Sequence, residues 1–177
     1  MLQPRIANGG KRLSGNQSTQ TRTKPAQEGL ISAISLGAVF ILIGAIYINT
    51  PDLWGKTVDF FNSFTSTQVT NTGITLPAPQ FPASHAVLYG AVFQFSLGIT
   101  ILEILLLALR LLLRSPIRKT AEAVGNLVFW LGASYLVTTY LNNTTTISQW
   151  FMFWAGVLMI AGLSLIARGF VLLARRI

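Results

Sequence analysis

Long apolar segments are the feature that most limits what this chain can fold into. A helix needs about 20 mainly apolar residues to cross a hydrocarbon core, and four segments approach or exceed that length. Spanning segments are helical because lipid offers the backbone no hydrogen-bond partners. The sequence therefore predicts an all-α integral membrane protein, an antiparallel bundle of four transmembrane helices over about 29–49, 84–113, 121–141 and 147–173.

Composition supports the membrane assignment and excludes several chemistries. Charged residues make up 10% of the chain, against about a quarter in soluble domains. Cysteine is absent, which excludes disulfides and thiolate chemistry. One histidine and a few scattered carboxylates make no metal site. We therefore predict no catalytic residues, no metal, no cofactor and no enzymatic activity.

The basic residues indicate how the chain is oriented. Of 13 lysines and arginines, only Lys56 falls outside three clusters, which lie in the N-terminal tail, around the connection between the second and third spans, and at the C-terminus. With four spans these clusters share one side, which the positive-inside rule makes cytoplasmic. The sequence predicts a multi-pass protein of the cell membrane with both termini cytoplasmic. Its basic charge suits anionic lipid headgroups rather than nucleic acid.

The first 28 residues form a polar, basic segment that cannot bury enough apolar surface to fold alone. We predict a flexible cytoplasmic tail. Two alternatives remain open at this point, a transit peptide and an arm that is ordered by a partner.

The outer segment 50–83 has a helical part and an extended part. Thr50 and Pro51 predict a helix start. An apolar spacing follows that is typical of a short interfacial helix anchored by its aromatic residues, with members Leu53, Trp54, Thr57, Val58, Phe61 and Phe64. Three prolines in 76–82 predict extended chain. The turn sequence at 71–73 allows a small hairpin.

The inner connection between the second and third spans is short. Pro116 ends or bends the second helix. We predict that Thr120 caps the third helix and that Glu122 lies in its first turn.

Four stretches, "NTGITLPAP", "QFSLG", "RSPIRKTAEAVGNLVFW" and "WFMFWAGVLMIAG", resemble archaeal four-span membrane proteins that carry no assigned function. The similarity covers about residues 30–175. It implies a plasma membrane and an outer face that can be glycosylated, and it implies no activity or site. Asn142 and Asn143 each begin an Asn-X-Thr sequence on that predicted face and are candidate glycosylation sites.

Glu103 lies inside the apolar second span, together with other polar residues on the same helical face. Polar groups in lipid need partners, so we predict that this stripe faces the other helices. An alternative is a proton path through His85, Tyr89, Ser96 and Glu103. Their wide spacing along the axis counts against a direct path.

Glu103 needs a donor at its own depth, and the inner ends of the third and fourth spans supply two. We predict a structural intramembrane cluster in which Glu103 pairs with Arg168, with Asn126 beside them. The pair would fix how the helices align and would have no catalytic role.

Glycines and alanines recur every seven residues on three spans, a spacing that lets helices approach closely. Extensive apolar surface with little site chemistry predicts a non-enzymatic accessory or structural subunit of a larger membrane complex. Its expected partners are membrane lipids and other membrane subunits or further copies of itself. The alternative is a small self-associating channel or transporter that uses the Glu103 stripe.

Overall fold

The computed structural model describes residues 20–69 and 72–174, with side chains from Gly29 onward. The helices are α1 (Gln20–Asn49), α2 (Leu53–Asn62), α3 (Ala86–Leu112), α4 (Ile117–Tyr140) and α5 (Ile147–Leu173). Two short strands, β1 (Phe64–Gln68) and β2 (Thr75–Pro79), precede a 3-10 turn at Pro82–His85. Of the predicted flexible tail, 1–19 lies outside the described residues, and 20–28 forms the start of α1.

The fold is mostly helical, and in its described part three helical segments are long and apolar enough to cross a membrane: Gly29–Asn49, Pro82–Leu112 and Ile147–Leu173. They match three of the four predicted spans closely. The fourth predicted span corresponds to α4, which is less apolar because it carries Asn126 and several hydroxyl side chains. The small sheet is also a departure from the all-α expectation.

The helices form an open row, where the sequence predicted a bundle. The extensive helix contacts within the described chain join α1 to α3, α3 to α4 and α4 to α5. Exposure along α4 agrees with this order. Asn126 and Tyr135 are both exposed, and nine residues at 100° each place them about 180° apart on the helix. Helix α4, which lies inside the row, is thus open on two opposite faces.

Glycines set the close approach of α4 and α5. A Cβ on Gly125 would lie 3.2 Å from the backbone oxygen of Ser164, and one on Gly132 would meet the side chain of Ile160. This confirms close packing for one of the predicted small-residue sets. The glycines of the other sets point elsewhere, because Cβ atoms at Gly37, Gly44, Gly162 and Gly169 would meet nothing within 4 Å.

Helix α2 begins later than predicted. Asp52, not Thr50, is its N-cap, and the Asp52 carboxylate accepts a hydrogen bond from the backbone N–H of Gly55 at 3.2 Å. Asp52 adopts the left-handed conformation with φ 53°, which Asp tolerates better than most residues. The turn places Leu53, Thr57 and Phe60 inward. Trp54, Val58 and Phe61 are left on the exposed side.

The predicted extended segment is one strand of an antiparallel hairpin, with Phe64 opposite Pro79 and Gln68 opposite Thr75. The backbone N–H groups of Gln80 and Val69 donate to Ser63 and Ile74 across the pair. Hydrogen-bonded and non-hydrogen-bonded residues alternate along the strand, and Pro77 and Pro79 both fall at non-hydrogen-bonded positions. Their lack of an N–H therefore costs the pair no hydrogen bond. Ala78 and Pro79 are buried, so the hairpin is attached firmly at its base.

Both short connections between helices are ordered by hydrogen bonds. Helix α4 starts at Ile117 with Pro116 at the N-cap, so Thr120 is not the cap and Glu122 is not in the first turn. A capping box of Thr146 and Gln149 begins α5. Because these connections span only a few residues, α3, α4 and α5 are antiparallel neighbours, as expected.

Candidate functional site

An aromatic cluster closes the end of the helix row that carries α2 and the hairpin. We call this the outer end, after the predicted orientation, and the opposite end the inner end. Phe60 of α2 is at its centre and makes edge-to-face contacts with Phe64, His85 and Trp150, with ring centroids 5.1, 5.1 and 5.8 Å away. Trp150 also stacks on Phe153 at 6.3 Å. These contacts fasten α2 onto α3 and α5. Phe60 was missed in the sequence, although its spacing from Leu53 and Thr57 was a usable signal.

A cavity of about 660 Å³ lies beside this cluster. Its walls come from α2, both strands, α3 and α5, and Leu141, just after α4, also lines it. Helices α3 and α5 both pack on α4 rather than on each other, so a gap remains between them where α4 ends. The lining is almost wholly apolar, since it consists of aromatic and aliphatic side chains.

Tyr89 also lines the cavity, but its hydroxyl has almost no exposed surface and does not face the opening. The residue is 3% exposed, and its hydroxyl is buried without a hydrogen-bond partner among the described residues. A buried hydroxyl without a partner is costly and uncommon in native proteins.

His85 belongs to the same aromatic cluster and is held there by a hydrogen bond to Ser63. The hydroxyl of Ser63 donates to the backbone oxygen of Phe60 at 2.7 Å. Its single proton is therefore in use, and Nε2–H of His85 donates to Ser63 Oγ at 3.0 Å. The histidine thus ties α3 to the end of α2.

The structure does not connect the four residues of the predicted proton path. Ser96 is buried and donates to the backbone oxygen of Phe93 at 3.0 Å. The hydroxyl of Thr100 likewise donates a hydrogen bond to the backbone oxygen of Ser96. With His85 bonded to Ser63 and the Tyr89 hydroxyl unpaired, no described hydrogen bond runs between members of the path.

At the inner end the structure brings two members of the predicted polar cluster together. Asn126 Nδ2 donates to Glu103 Oε1 at 3.0 Å, across the α3–α4 contact. Each residue is nine positions from the inner end of its helix, which puts both about 14 Å along the axis. Glu103 is half-buried and Asn126 is exposed, so this pair opens onto one face of the row.

The predicted pairing of Glu103 with Arg168 is wrong. Arg168 Nη2 donates instead to Glu122 Oε1 at 3.0 Å, and Lys119 bonds the other oxygen of Glu122 at 3.1 Å. The reason is depth, since Glu122 and Arg168 are each five residues from the inner helix ends, a full turn shallower than Glu103. Arg110 adds a bond to the backbone oxygen of Lys119.

Double-mutant cycles should separate these two pairings. We expect a coupling of about 0.5–1 kcal/mol between Glu122→Gln and Arg168→Gln, since both side chains are partly exposed. The effects of Glu103→Gln and Arg168→Gln on the free energy of unfolding should add to within about 0.5 kcal/mol. The measurement is equilibrium unfolding by dodecyl sulfate in mixed micelles. A larger coupling for Glu103 with Arg168 than for Glu122 with Arg168 would contradict the arrangement.

The two candidate glycosylation residues differ in accessibility. Asn142 is half-buried, and its side-chain oxygen accepts from both the backbone and the hydroxyl of Thr144, at 2.8 and 2.6 Å. Asn143 is exposed. Of the two, Asn143 presents the freer side chain.

Within the described part of the chain, no group of three or more histidines or carboxylates is placed to hold a metal ion. Comparison with protein-family models, with characterised proteins and with solved structures finds no match. The resemblance to archaeal four-span proteins gains no support from these comparisons. Function has to be argued from the geometry itself.

Proposed function

We propose that this protein is a non-enzymatic accessory subunit of a larger membrane complex. The observation that carries the proposal is the open row of helices. Its two end helices, α1 and α5, each pack extensively on one neighbour only, so both keep a long apolar face without a protein partner in the described chain. Chemistry is sparse: Glu103 and Asn126 bond each other across the α3–α4 contact, and the hydroxyls of Ser96 and Thr100 bond the backbone of their own helix.

The outward glycines support this reading. Gly162 is two positions from Ile160 and from Ser164, which face α4, so it lies about 160° round the helix from both. Together with Gly169 it forms a groove on the far side of α5, where a second helix can approach closely. On α1, Gly37 and Gly44 offer a similar groove at the other end of the row.

We further propose that α4 is a fourth span and that both termini are cytoplasmic. Helix α4 has 24 residues, or about 36 Å, which exceeds the hydrocarbon thickness of about 30 Å. It lies antiparallel between α3 and α5, which are both long and apolar enough to span. The clusters of basic residues then share the cytoplasmic side.

Cysteine labelling tests the fourth span directly, because the natural chain has no cysteine. Ser115→Cys precedes α4 and Asn143→Cys follows it. In sealed vesicles, a membrane-impermeant maleimide should label one variant from outside and the other only after lysis. Labelling of both from the same side would rule out a spanning α4.

The rival function is a self-associating channel or transporter. The observation in its favour is the Glu103–Asn126 pair, which opens onto a face of the row and could line a pore between copies. The observation against it is the lack of hydrogen bonds between the path residues in the described structure. Proton or ion flux in liposomes that Glu103→Gln abolishes would favour this rival.

Gly162 provides the test of the subunit proposal. We expect Gly162→Leu to leave the fold of the monomer intact, because the site is open, and to reduce complex formation by at least about tenfold. Gly162→Ala is the matched control and should assemble nearly normally. Native gel analysis after gentle detergent extraction measures both. Unchanged assembly of Gly162→Leu would exclude this face of α5 as the contact.

A further inference from the structure

Helix α3 keeps one face open along most of its length. Residues without a neighbour recur there at alternating steps of four and three, a spacing that keeps them on one side of a helix. The members are Gly90, Gln94, Leu97, Ile101, Ile104 and Ala108. All are exposed except Gly90, where an added Cβ would meet nothing within 4 Å. We call this face the Gln94 stripe.

The Gln94 stripe points away from α4 and is not covered by α1. Glu103, which bonds Asn126 of α4, is nine residues from Gln94, and nine residues at 100° each place the two side chains about 180° apart. Helix α1 contacts α3 beside the stripe, since a Cβ on Gly98 would meet the side chain of Leu42. Both helices that pack extensively on α3 therefore leave the stripe open.

Gln94 is the one polar member of the stripe, and its position is costly. It lies about 12 Å from one end of α3 and about 27 Å from the other, which places it inside a hydrocarbon core of about 30 Å. Its amide is exposed there and has no hydrogen-bond partner among the described residues. Polar groups without partners are expensive in hydrocarbon. The stripe therefore calls for an apolar helix that carries a hydrogen-bonding group at the depth of Gln94.

A second copy of this chain meets this requirement by symmetry. The membrane orients all copies alike, so two α3 helices can pair only in parallel. Across a two-fold axis along the membrane normal, a residue in the seam faces the same residue of the other copy. A glutamine amide has both donors and an acceptor, so two of them can bond each other. We propose that the Gln94 stripe is the contact surface of a parallel dimer, in which the Gln94 amides of two copies hydrogen-bond across the seam.

This surface is separate from the one on which the proposed role as a subunit rests. That role uses the far side of α5 around Gly162, whereas the dimer uses α3. Gly162→Leu should therefore leave the dimer intact. Either proposal can fail without the other.

Disulfide crosslinking tests the surface in the full chain, because the natural protein has no cysteine. Ile101→Cys lies on the stripe, and Val92→Cys lies nine residues earlier, about 180° round the same helix. Both natural side chains are exposed, at 53% and 40%. In phosphatidylcholine vesicles oxidised with copper phenanthroline, we expect Ile101→Cys to form a covalent dimer in several times the yield of Val92→Cys. Equal yields at the two positions would overturn the proposal.

Gln94→Leu tests the amide itself. The position is exposed to lipid, so the apolar side chain should leave the fold of the monomer intact. It should raise the dissociation constant of the dimer about three- to thirtyfold, the range expected for one hydrogen bond between helices in lipid. Gln94→Asn keeps an amide and should weaken the dimer less. Energy transfer between two labelled populations, followed as lipid is added to the vesicles, measures all three proteins.

Two further results would contradict the dimer. One is a dissociation constant that Gln94→Leu leaves unchanged or lowers. The other is a natural chain that stays monomeric in these vesicles, which would assign the stripe to a helix of a different protein. Crosslinking of Ile101→Cys keeps Gln94 in place, so it decides even if Gln94→Leu does not fold.

Discussion

Trp150→Ala is expected to destabilise the fold by about 3–5 kcal/mol, the largest effect of any single truncation at the outer end. Trp150 is 4% exposed and contacts Phe60 and Phe64 from above and Phe153 within its own helix. Its removal leaves a cavity where α2 and the hairpin attach to α5. Because two elements depend on this ring, the lost packing cannot be recovered by movement of one side chain.

The neighbouring Trp154 supplies the matched control. It is the same residue type on the same helix, but it is 49% exposed. Trp154→Ala should cost less than half as much as Trp150→Ala in the same unfolding assay by dodecyl sulfate. Equal losses for the two variants would mean that the aromatic cluster does not hold the outer end together.

Gly125→Leu is expected to destabilise the protein by about 3 kcal/mol. A Cβ at this position already lies 3.2 Å from the backbone oxygen of Ser164 and 3.4 Å from the Cβ of Arg168. Backbone cannot move aside as a flexible side chain can, so a larger residue forces α4 and α5 apart. The separation should also weaken the bond between Arg168 and Glu122.

Gly162→Leu is the control for this effect, because it adds the same side chain to α5 where nothing lies within 4 Å. The free energy of unfolding of this variant should be within about 0.5 kcal/mol of that of the natural protein. Equal destabilisation by the two substitutions would contradict the helix packing described here.

The spans were predictable because hydropathy over about 20 residues reflects the thickness of the bilayer. Three predicted spans match the apolar segments Gly29–Asn49, Pro82–Leu112 and Ile147–Leu173 to within two residues, although α1 itself begins nine residues earlier, at Gln20. Helix α4 is the least clear case in the sequence for the same reason, since Asn126 and its hydroxyl side chains reduce its apolar character. The hairpin was signalled weakly, by its turn residues and the β-favouring residues beside them, and its prolines concealed the second strand.

Lateral order and pairing were not predictable, because they depend on differences of about one helical turn or less. Asn126 and Glu122 are one turn apart on α4, and that turn decides which of them bonds Glu103 and which bonds Arg168. In the same way, Phe60 and Phe61 differ by one position, yet Phe60 contacts His85 and Trp150 while Phe61 is 67% exposed at the edge of the cluster.

Native mass spectrometry of the natural protein after gentle extraction from its own membrane tests the central claim most directly. An open helix row with unpartnered end helices predicts a complex of fixed stoichiometry that contains a different membrane protein. The same complex should fall apart with Gly162→Leu. A stable monomer without any polypeptide partner, or a homo-oligomer alone, would contradict the account.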